Sequence, residues 1–401
     1  MNVFEALGVV PVINAAGTVT RLSGGLLAPE VVRAMAEAMQ FCVDMAELEA
    51  AASTRIAAAT GAEAGYVTSG AAAALLLGAA ACVTGLDPGK MARLPDTRGT
   101  KNEVVMVRSQ RNFYDHAVRT AGVSIVEVGL PDRYAGAGVR DAEPWEIAQA
   151  IGERTACVLY VAGPDARPAL AEVIDVAHAA GVPVLVDAAA QLPPASNLRR
   201  FIAEGADLVA FSGGKVLGGP QATGILCGRR DLVMAAALQH LDLDVLADQW
   251  SPPPSLIDAD ALVGIPPHGI GRPCKVGKEG IVGLLKALEL FLAEDDGARH
   301  ARWLSVLRPI ADGLSGLPQS RVEILGERDT ASLPVVALAV DPGAGISAGE
   351  VAAKLRHGQP PIHVGVGDLD HGVIVFNPAG LKPADGEIVV ARVRALLADR
   401  R

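Results

Sequence analysis

A lysine and an aspartate, each at the end of an apolar segment, are the residues of this sequence best placed to do chemistry. Lys215 follows the apolar run 208–211 after Ser212 and two glycines, and a second apolar run, 224–227, follows at hairpin distance. Glycines allow another group to approach the backbone closely. A lysine amine is easily neutralised by burial and forms Schiff bases with carbonyl compounds. The alternative for Lys215 alone is a solvated turn residue.

Asp187 ends the apolar segment 181–187, which has the pattern of a central parallel strand with a functional group at its carboxyl edge. It precedes Lys215 by 28 residues, with a polar and helical segment between the two strands. Both side chains are therefore expected at one edge of a sheet. A carboxylate facing a pyridine nitrogen and a lysine bonded to an aldehyde are what pyridoxal phosphate (PLP) requires as an electron sink. Alone, Asp187 could equally be a helix N-cap or turn residue.

A third segment predicts an anion-binding site. An apolar strand that starts near Tyr66 breaks at Ser69 and Gly70, and an alanine-rich helix begins at Ala71. Free backbone N–H groups at the positive end of a helix can bind a phosphate. We call the start of this helix, Ser69 to Ala71, the phosphate seat. A Ser-Gly pair at a helix start is common, so the prediction depends on its order in the chain, before Asp187 and Lys215.

Together these segments resemble the PLP enzymes of the aspartate aminotransferase fold (fold type I), in the branch that holds selenocysteine synthase and D-glucosaminate-6-phosphate ammonia-lyase. The resemblance covers most of the chain. The segments that carry it are Phe211-Ser-Gly-Gly-Lys-Val-Leu-Gly-Gly-Pro-Gln-Ala222, Val12-Ile-Asn-Ala-Ala-Gly17, Leu48-Glu49, Thr60-Gly-Ala-Glu63 and Gly271-Arg-Pro-Cys-Lys-Val-Gly-Lys-Glu279.

The resemblance implies an α/β fold with a mainly parallel seven-stranded sheet, helices on both faces, and a smaller α+β C-terminal domain. The expected division is an N-terminal segment at 1–24 near the active site, a large PLP-binding domain at 25–255, and a linker, long helix and small domain at 256–401. Residue patterns also predict a short strand over 9–14 and a helix from 230 to about 247.

The resemblance assigns further residues to the cofactor. Ser69, Gly70, Ala71 and Ser212 are expected at its phosphate. The residue that stacks on the ring should come from the segment after strand 104–107, where Gln110, Arg111 and Asn112 are the candidates, and of these we predict Gln110 as a cofactor-binding residue. Gln191 is expected to support a cofactor oxygen, with a loop role as the alternative.

Four cations are candidate substrate ligands: Arg21, Arg272, Lys275 and His363. Arg272 and Lys275 lie in the resembling segment and are expected to bind anionic groups of the substrate, in their own subunit's site or in the neighbouring subunit's site. Relatives often have an arginine after a Pro-Pro-Ile segment, but here residues 364–367 contain none. Either His363 or the pair Arg272 and Lys275 is expected to replace that arginine, or the substrate differs from that of the relatives.

Composition excludes several other classes of function. The 401-residue chain has a net charge of -10 with 20% charged residues, so nucleic acid is a poor default partner. Five scattered cysteines without a C-x-x-C pair indicate reduced thiols, not disulfides or a metal site, and favour the cytoplasm. The N-terminus lacks a signal-peptide pattern, and the apolar segment 71–83 is too short to span a bilayer.

The predicted protein is a PLP-dependent lyase, a homodimer or larger homo-oligomer with sites at the subunit interface. The resemblance implies α,β-elimination of ammonia from an amino acid or amino-sugar acid through a Lys215 Schiff base, with Asp187 at the ring nitrogen. A PLP-dependent transferase, racemase or aldolase remains an alternative. Two further alternatives are a tRNA-dependent selenium transferase, which the charge disfavours, and a non-catalytic scaffold. The substrate is left open.

Overall fold

This computed structural model describes residues 2–130 and 141–398, which form helices and strands. The strands are β1 (Ile13–Ala15), β2 (Ala64–Thr68), β3 (Glu103–Val107), β4 (Ser124–Val128), β5 (Thr155–Val161), β6 (Val184–Asp187), β7 (Leu208–Ser212), β8 (Gly224–Gly228), β9 (Ser320–Leu325), β10 (Val335–Val340), β11 (Ile362–Asp368) and β12 (Val373–Phe376). The helices are α1 (Val3–Ala6), α2 (Pro29–Ala38), α3 (Met45–Thr60), α4 (Ala71–Thr84), α5 (Pro88–Arg93), α6 (Asp115–Thr120), α7 (Pro144–Ala150), α8 (Leu170–Ala179), α9 (Asn197–Ala203), α10 (Arg230–His240), α11 (Lys278–Ala293), α12 (Asp296–Leu314), α13 (Ala348–Arg356) and α14 (Asp385–Ala398).

The chain divides into two compact units. The larger unit comprises Ala28–Leu192 and Ser196–Glu289, and the smaller unit comprises Met1–Leu27, Pro193–Ala195 and Leu290–Arg401. The domain boundaries expected from the sequence remain a prediction.

The larger unit is built on a seven-stranded sheet in the order β2-β8-β7-β6-β5-β3-β4. Strand β8 is antiparallel to both of its neighbours, and all other neighbouring pairs are parallel. The expected mainly parallel seven-stranded α/β sheet is therefore confirmed. Because β2 and β7 both oppose β8, they run in the same direction, and the carboxyl ends of β2, β7, β6, β5 and β3 lie at one edge.

Continuous apolar sequence explains why this sheet is buried. Strands β6 and β7 are apolar along nearly their whole length, as expected for parallel strands that are covered on both faces. Helix α4 is buried almost all round. A Cβ added to Gly78 would lie 3.1 Å from a methyl group of Leu185, so glycine here permits close packing of α4 on β6. Among the described residues, no helix is long and apolar enough to cross a membrane.

The smaller unit contains a five-stranded sheet in the order β1-β11-β12-β10-β9. Strand β1 is parallel to β11, and the other neighbouring pairs are antiparallel. Helices α12, α13 and α14 pack with this sheet and with one another around a core that includes Ile310, Val336 and Phe376. The expected smaller α+β portion is present.

Two local expectations are corrected by the structure. The strand expected over 9–14 is β1, which begins only at Ile13, because Pro11 has no N–H to donate and pairing starts with Ile13 N–H donating to the carbonyl of Pro361. The helix expected to reach about 247 ends at His240. Beyond it, the Asp242 carboxylate accepts a hydrogen bond from the Asp244 N–H at 3.1 Å and stabilises a turn.

Candidate active site

The Lys215 loop is a tight connection between β7 and β8. The Gly213 N–H donates to the carbonyl of Thr223 at 2.8 Å, and the Gly219 N–H donates to the carbonyl of Gly213 at 2.8 Å. A Cβ added to Gly214 would lie 2.5 Å from the Cα of Gln221, so no side chain fits there. The two glycines before Lys215 are thus required by close backbone packing, and they fix the lysine at the edge of the sheet.

Asp187 ends β6, Lys215 follows the neighbouring strand β7, and the two side chains interact electrostatically. Asp187, the last residue of β6, pairs in register with Ala210 of β7 and is buried. Burial raises the pKa of the Asp187 carboxyl, while a hydrogen bond from the Ala189 N–H and the positive charge of Lys215 oppose the rise. Burial lowers the pKa of the Lys215 amine, and the charge of Asp187 opposes that fall. Both shifts favour neutral groups, so this is a partly desolvated acid–base pair.

The expected phosphate seat lies beside Ser212. Gly224 of β8 pairs on one side with Thr68 at the end of β2 and on the other with Ser212 at the end of β7. A Cβ added to Gly224 would lie 2.6 Å from the backbone nitrogen of Ala71, so the start of α4 is packed against β8. No side chain caps α4, which leaves its first N–H groups open to a ligand.

A chain of hydrogen bonds links Ser69 through the Cys274 carbonyl and His240 to Tyr66. The Ser69 hydroxyl donates to the carbonyl of Cys274 at 2.7 Å, and His240 Nε2 lies 2.9 Å from the same oxygen. Because a carbonyl only accepts, Nε2 carries the proton, and His240 Nδ1 accepts from the Tyr66 hydroxyl at 2.9 Å. Burial lowers the pKa of His240, in keeping with a neutral ring. In this arrangement the Ser69 hydroxyl proton is already donated to Cys274, so the backbone N–H groups remain the donors for a phosphate.

Gln110 and Gln191 connect the loops at the same edge. Gln110 is buried; its Oε1 accepts from the Val161 N–H at 2.9 Å and its Nε2 donates to the carbonyl of Arg167 at 3.3 Å. Gln191 Nε2 donates to the carbonyl of Ala162 at 2.8 Å. Both amides therefore hold loops that follow β3, β5 and β6. Their roles toward a cofactor stay predictions.

The other two residues considered for ring stacking have partners of their own. Arg111 forms ion pairs with Asp115 and Glu127. Asn112 Nδ2 donates to the carbonyl of Gln110 at 3.3 Å. Neither side chain is free to stack without losing these interactions.

Arg272 begins the 3-10 turn Arg272–Cys274, and Lys275 follows it directly; the last carbonyl of the turn is the acceptor for Ser69. The turn is thereby held next to the start of α4. Arg272 is paired with the Asp242 carboxylate at 3.1 Å, whereas Lys275 is exposed and has no described carboxylate partner. Lys275 is the cation of the two that is open to a ligand.

Arg21 and His363 belong to the smaller unit and line one cavity there. Arg356, in the last turn of α13, lines the same cavity and was not selected from the sequence. A basic residue in a last helical turn is common, so only the spatial grouping distinguishes Arg356.

Glu49 is a second residue that the sequence did not single out by chemistry. It is buried, its Oε2 accepts from the Val67 N–H at 3.0 Å, and its Oε1 has no hydrogen-bond partner among the described residues. Burial raises the pKa of Glu49 to about 8. In the sequence, only the family resemblance of the segment Leu48-Glu49 pointed to Glu49.

The fold defines the structural class of the protein. The fold is similar to that of ureidoglycine-glyoxylate aminotransferase from Bacillus subtilis, with a TM-score of 0.56 and 15% identity over 96% of this chain and 93% of that chain. A likeness at this identity shows the fold alone. This confirms the expected aminotransferase-like fold.

Sequence comparison assigns the chain to one family within this fold. It matches the L-seryl-tRNA selenium transferase (SelA) family over residues 12–246, and it belongs to that family. It is 31% identical to D-glucosaminate-6-phosphate ammonia lyase from Salmonella typhimurium, over 98% of both chains. It is 34% identical to 5'-C-glycyluridine monooxygenase-decarboxylase from a Streptomyces species, over 99% of this chain and 92% of the relative. A solved D-glucosaminate-6-phosphate ammonia-lyase matches with a TM-score of 0.81 and 30% identity, over 100% of this chain and 99% of that one. The resemblance stated from the motifs is confirmed.

Proposed function

We propose that this protein is a PLP-dependent lyase that removes ammonia from an amino acid or amino-sugar acid by α,β-elimination. The observation that carries the proposal is the pair Asp187 and Lys215 on neighbouring strand ends, partly desolvated and coupled by charge. The 31% identity to an ammonia lyase along the full chain supports the reaction type.

The chain's residues fit a bound PLP. Gly70 has a φ of 101°, and a Cβ added there would meet no atom within 4 Å, so open space lies in front of the α4 amino end. Ser69, Gly70, Ala71 and Ser212 are proposed to hold the phosphate, with Asp187 at the ring nitrogen. Gln110 and Gln191 are proposed to border the ring through the loops that they connect. When bound, PLP supplies an aldehyde for amines and a ring that delocalises the electron pair left at the α-carbon.

The protein's own groups perform the proton transfers. The lowered pKa of Lys215 increases the neutral fraction of its amine, which can then take the proton from the substrate α-carbon. That proton can be returned to the group that leaves the β-carbon, so Lys215 acts first as base and then as acid. Burial alone favours the neutral Asp187 carboxyl, so a protonated ring nitrogen beside it would supply the positive charge that stabilises the carboxylate. The released unsaturated amine tautomerises to an imine by taking a proton at the β-carbon, and one water molecule hydrolyses that imine to a keto acid and ammonia.

Substrate binding is proposed to involve Arg272 and Lys275. The Ser69 hydrogen bond to Cys274 holds their turn beside the start of α4, which supports a role at the same site. Arg21 and His363, which belong to the smaller unit, remain proposed substrate ligands. The substrate class is a small amino compound with at least one anionic group.

A second candidate function is a PLP-dependent monooxygenase-decarboxylase. The full-length 34% identity to 5'-C-glycyluridine monooxygenase-decarboxylase favours it. This activity was absent from the alternatives drawn from the sequence. It would release carbon dioxide and consume oxygen, whereas the lyase needs no oxygen.

The first test uses absorbance spectra of purified wild type and Lys215→Ala with added PLP. After unbound PLP is removed, we expect a cofactor band in the wild type that Lys215→Ala lacks, because Lys215 is the amine proposed to form the covalent link. Lys101→Ala, at an exposed lysine of the same unit, is the matched control and should keep the band. Amino acids, D-glucosaminate 6-phosphate and 5'-C-glycyluridine are then added, with ammonia, keto acid, carbon dioxide and oxygen measured.

Ammonia and a keto acid formed without oxygen uptake support the lyase, and oxygen uptake with carbon dioxide supports the second candidate. A wild type without a cofactor band after PLP is added contradicts both.

We also propose that the protein works in the cytoplasm, which its five free cysteines support.

A further inference from the structure

The cavity that contains Arg21 and His363 is concave, open at one side and about 370 Å³ in volume. That volume lies near the lower end of the range of about 300–1,000 Å³ for small-molecule sites. Along α13 its wall is formed by Gly349, Ala352 and Ala353, whose small side chains leave the space open. The cavity has the size of a group such as a phosphate ester, not of a large cofactor.

Positive charge dominates the lining. Arg21, Arg356 and His363 line the cavity, and no acidic side chain does so among the described residues. Neither arginine has a described carboxylate partner. Of the acids nearby in the chain, Asp368 is bound by His371 at 2.5 Å and Glu350 is bound by Ser347, so neither is free to neutralise the cavity.

Electrostatics shows that the three cations affect one another. Burial lowers the pKa of His363, and the positive charges of Arg21 and Arg356 lower it further. Both arginines are therefore close enough to His363 for their charges to matter. An anion between them would relieve this repulsion.

We propose that this cavity binds a tetrahedral oxyanion of the phosphate-monoester class, held by Arg21 and Arg356 with His363 as a further hydrogen-bond partner. Planar guanidinium groups match the oxygen geometry of phosphate and can donate two hydrogen bonds each. The inference deepens the proposed function if the phosphate belongs to the substrate, but the anion site itself does not depend on Lys215 carrying a cofactor.

Each arginine also has an ordinary structural explanation. Arg356 lies in the last turn of α13, where a cation interacts favourably with the helix carbonyls. Arg21 is an exposed residue of the 3-10 turn Thr20–Leu22. Purely structural roles would change stability when the residues are replaced and would leave anion affinity unchanged.

Calorimetric titration of inorganic phosphate into PLP-treated protein tests the site. We expect wild type to bind phosphate, and Arg21→Gln/Arg356→Gln to lose at least about tenfold in affinity, since each removes a charge-assisted pair of hydrogen bonds. Arg328→Gln, at an exposed arginine of the same unit, is the matched control and should bind as wild type does. Thermal unfolding of each variant checks that it is folded.

A wild type that binds no phosphate, or a folded double variant that binds it as tightly as wild type, overturns the proposal. The titration can be read even if no cofactor band forms, so its failure is distinguishable from failure of the proposed function.

The source of the anion follows from KM values for a phosphorylated substrate and its dephosphorylated form. A rise in KM for the phosphorylated form alone in the double variant assigns the phosphate to the substrate. Unchanged KM values, with phosphate binding lost, assign the site to a separate anion.

Discussion

Glu49 shows how one buried carboxyl links stability to pH. Its folded pKa of about 8 lies above the ordinary 4.5, so the folded state binds this proton more tightly than the unfolded chain does. The associated stability is fully present below about 4.5 and is lost as pH rises toward about 8. We expect the free energy of unfolding to fall by up to about 1.4 kcal/mol per pH unit in that window. Glu49→Gln should flatten the dependence, as measured by urea unfolding from pH 5 to 8.

The control for Glu49 is Glu153→Gln, at an exposed carboxyl of the same unit, which should keep the wild-type slope. If wild type and Glu49→Gln change with pH in parallel, another group is responsible and Glu49 is ionised in the folded protein.

Residues that end apolar strands were recognisable in the sequence, and residues that depend on distant contacts were not. Lys215 and Asp187 carry their own signal, because a glycine pair or a polar residue interrupts a strongly apolar run. His240 gives no such signal, since its role comes from Tyr66 and Cys274, which are far away in the chain. Arg356 likewise looks like an ordinary helix-terminal cation until the fold places it with Arg21.

At the scale of elements, β8 packs closely against the start of α4, where the phosphate seat is proposed. Gly224→Ala would place a methyl group 2.5 Å from the carbonyl carbon of Gly70, so strand and helix must separate. We expect a loss of about 1–3 kcal/mol in unfolding free energy, as for other overpacked sites, and weaker retention of PLP. Urea unfolding and cofactor loss on dialysis measure the two effects.

Gly152→Ala is the matched control for this contact, because a Cβ added there meets no atom within 4 Å. If Gly224→Ala unfolds like wild type and retains PLP equally, the seat is not formed by this contact.

Elements were predicted well where one strong local pattern decides them and less well at their ends. The hairpin that carries Lys215 and the strand–turn–helix at Ser69 were both located from apolar runs interrupted by glycine. The ends of β1 and α10 were misplaced, because a proline at position 11 and an aspartate turn after His240 override the apolar pattern.

At the scale of the whole molecule, we expect a homodimer or larger homo-oligomer. Met39 and Phe41 at the end of α2 are 66% and 62% exposed, and Phe41 and Val43 line a cavity of about 380 Å³ in the larger unit. Exposed apolar side chains grouped in this way are typical of an interface. Phe41→Asp should weaken self-association by at least about tenfold, a loss of about 1.4 kcal/mol, as measured by sedimentation over a range of concentrations.

Val263→Asp, at a 92% exposed residue of the same unit, is the control and should associate like wild type. A wild-type protein that sediments as a monomer at every concentration contradicts the expected oligomer.

The antiparallel strand β8 also determines when the site can be completed during synthesis. In its sheet β2 has one described hydrogen-bonded neighbour, β8, and the paired residues Thr68 and Gly224 are 156 positions apart in the chain. A ribosome therefore releases β2 and the amino end of α4 long before their partner strand exists. A nascent chain that stops short of Gly228 has Asp187 and the helix end, but it presents β2 as an open strand edge. We therefore expect PLP to bind at the proposed site only late in synthesis, once the larger unit is complete.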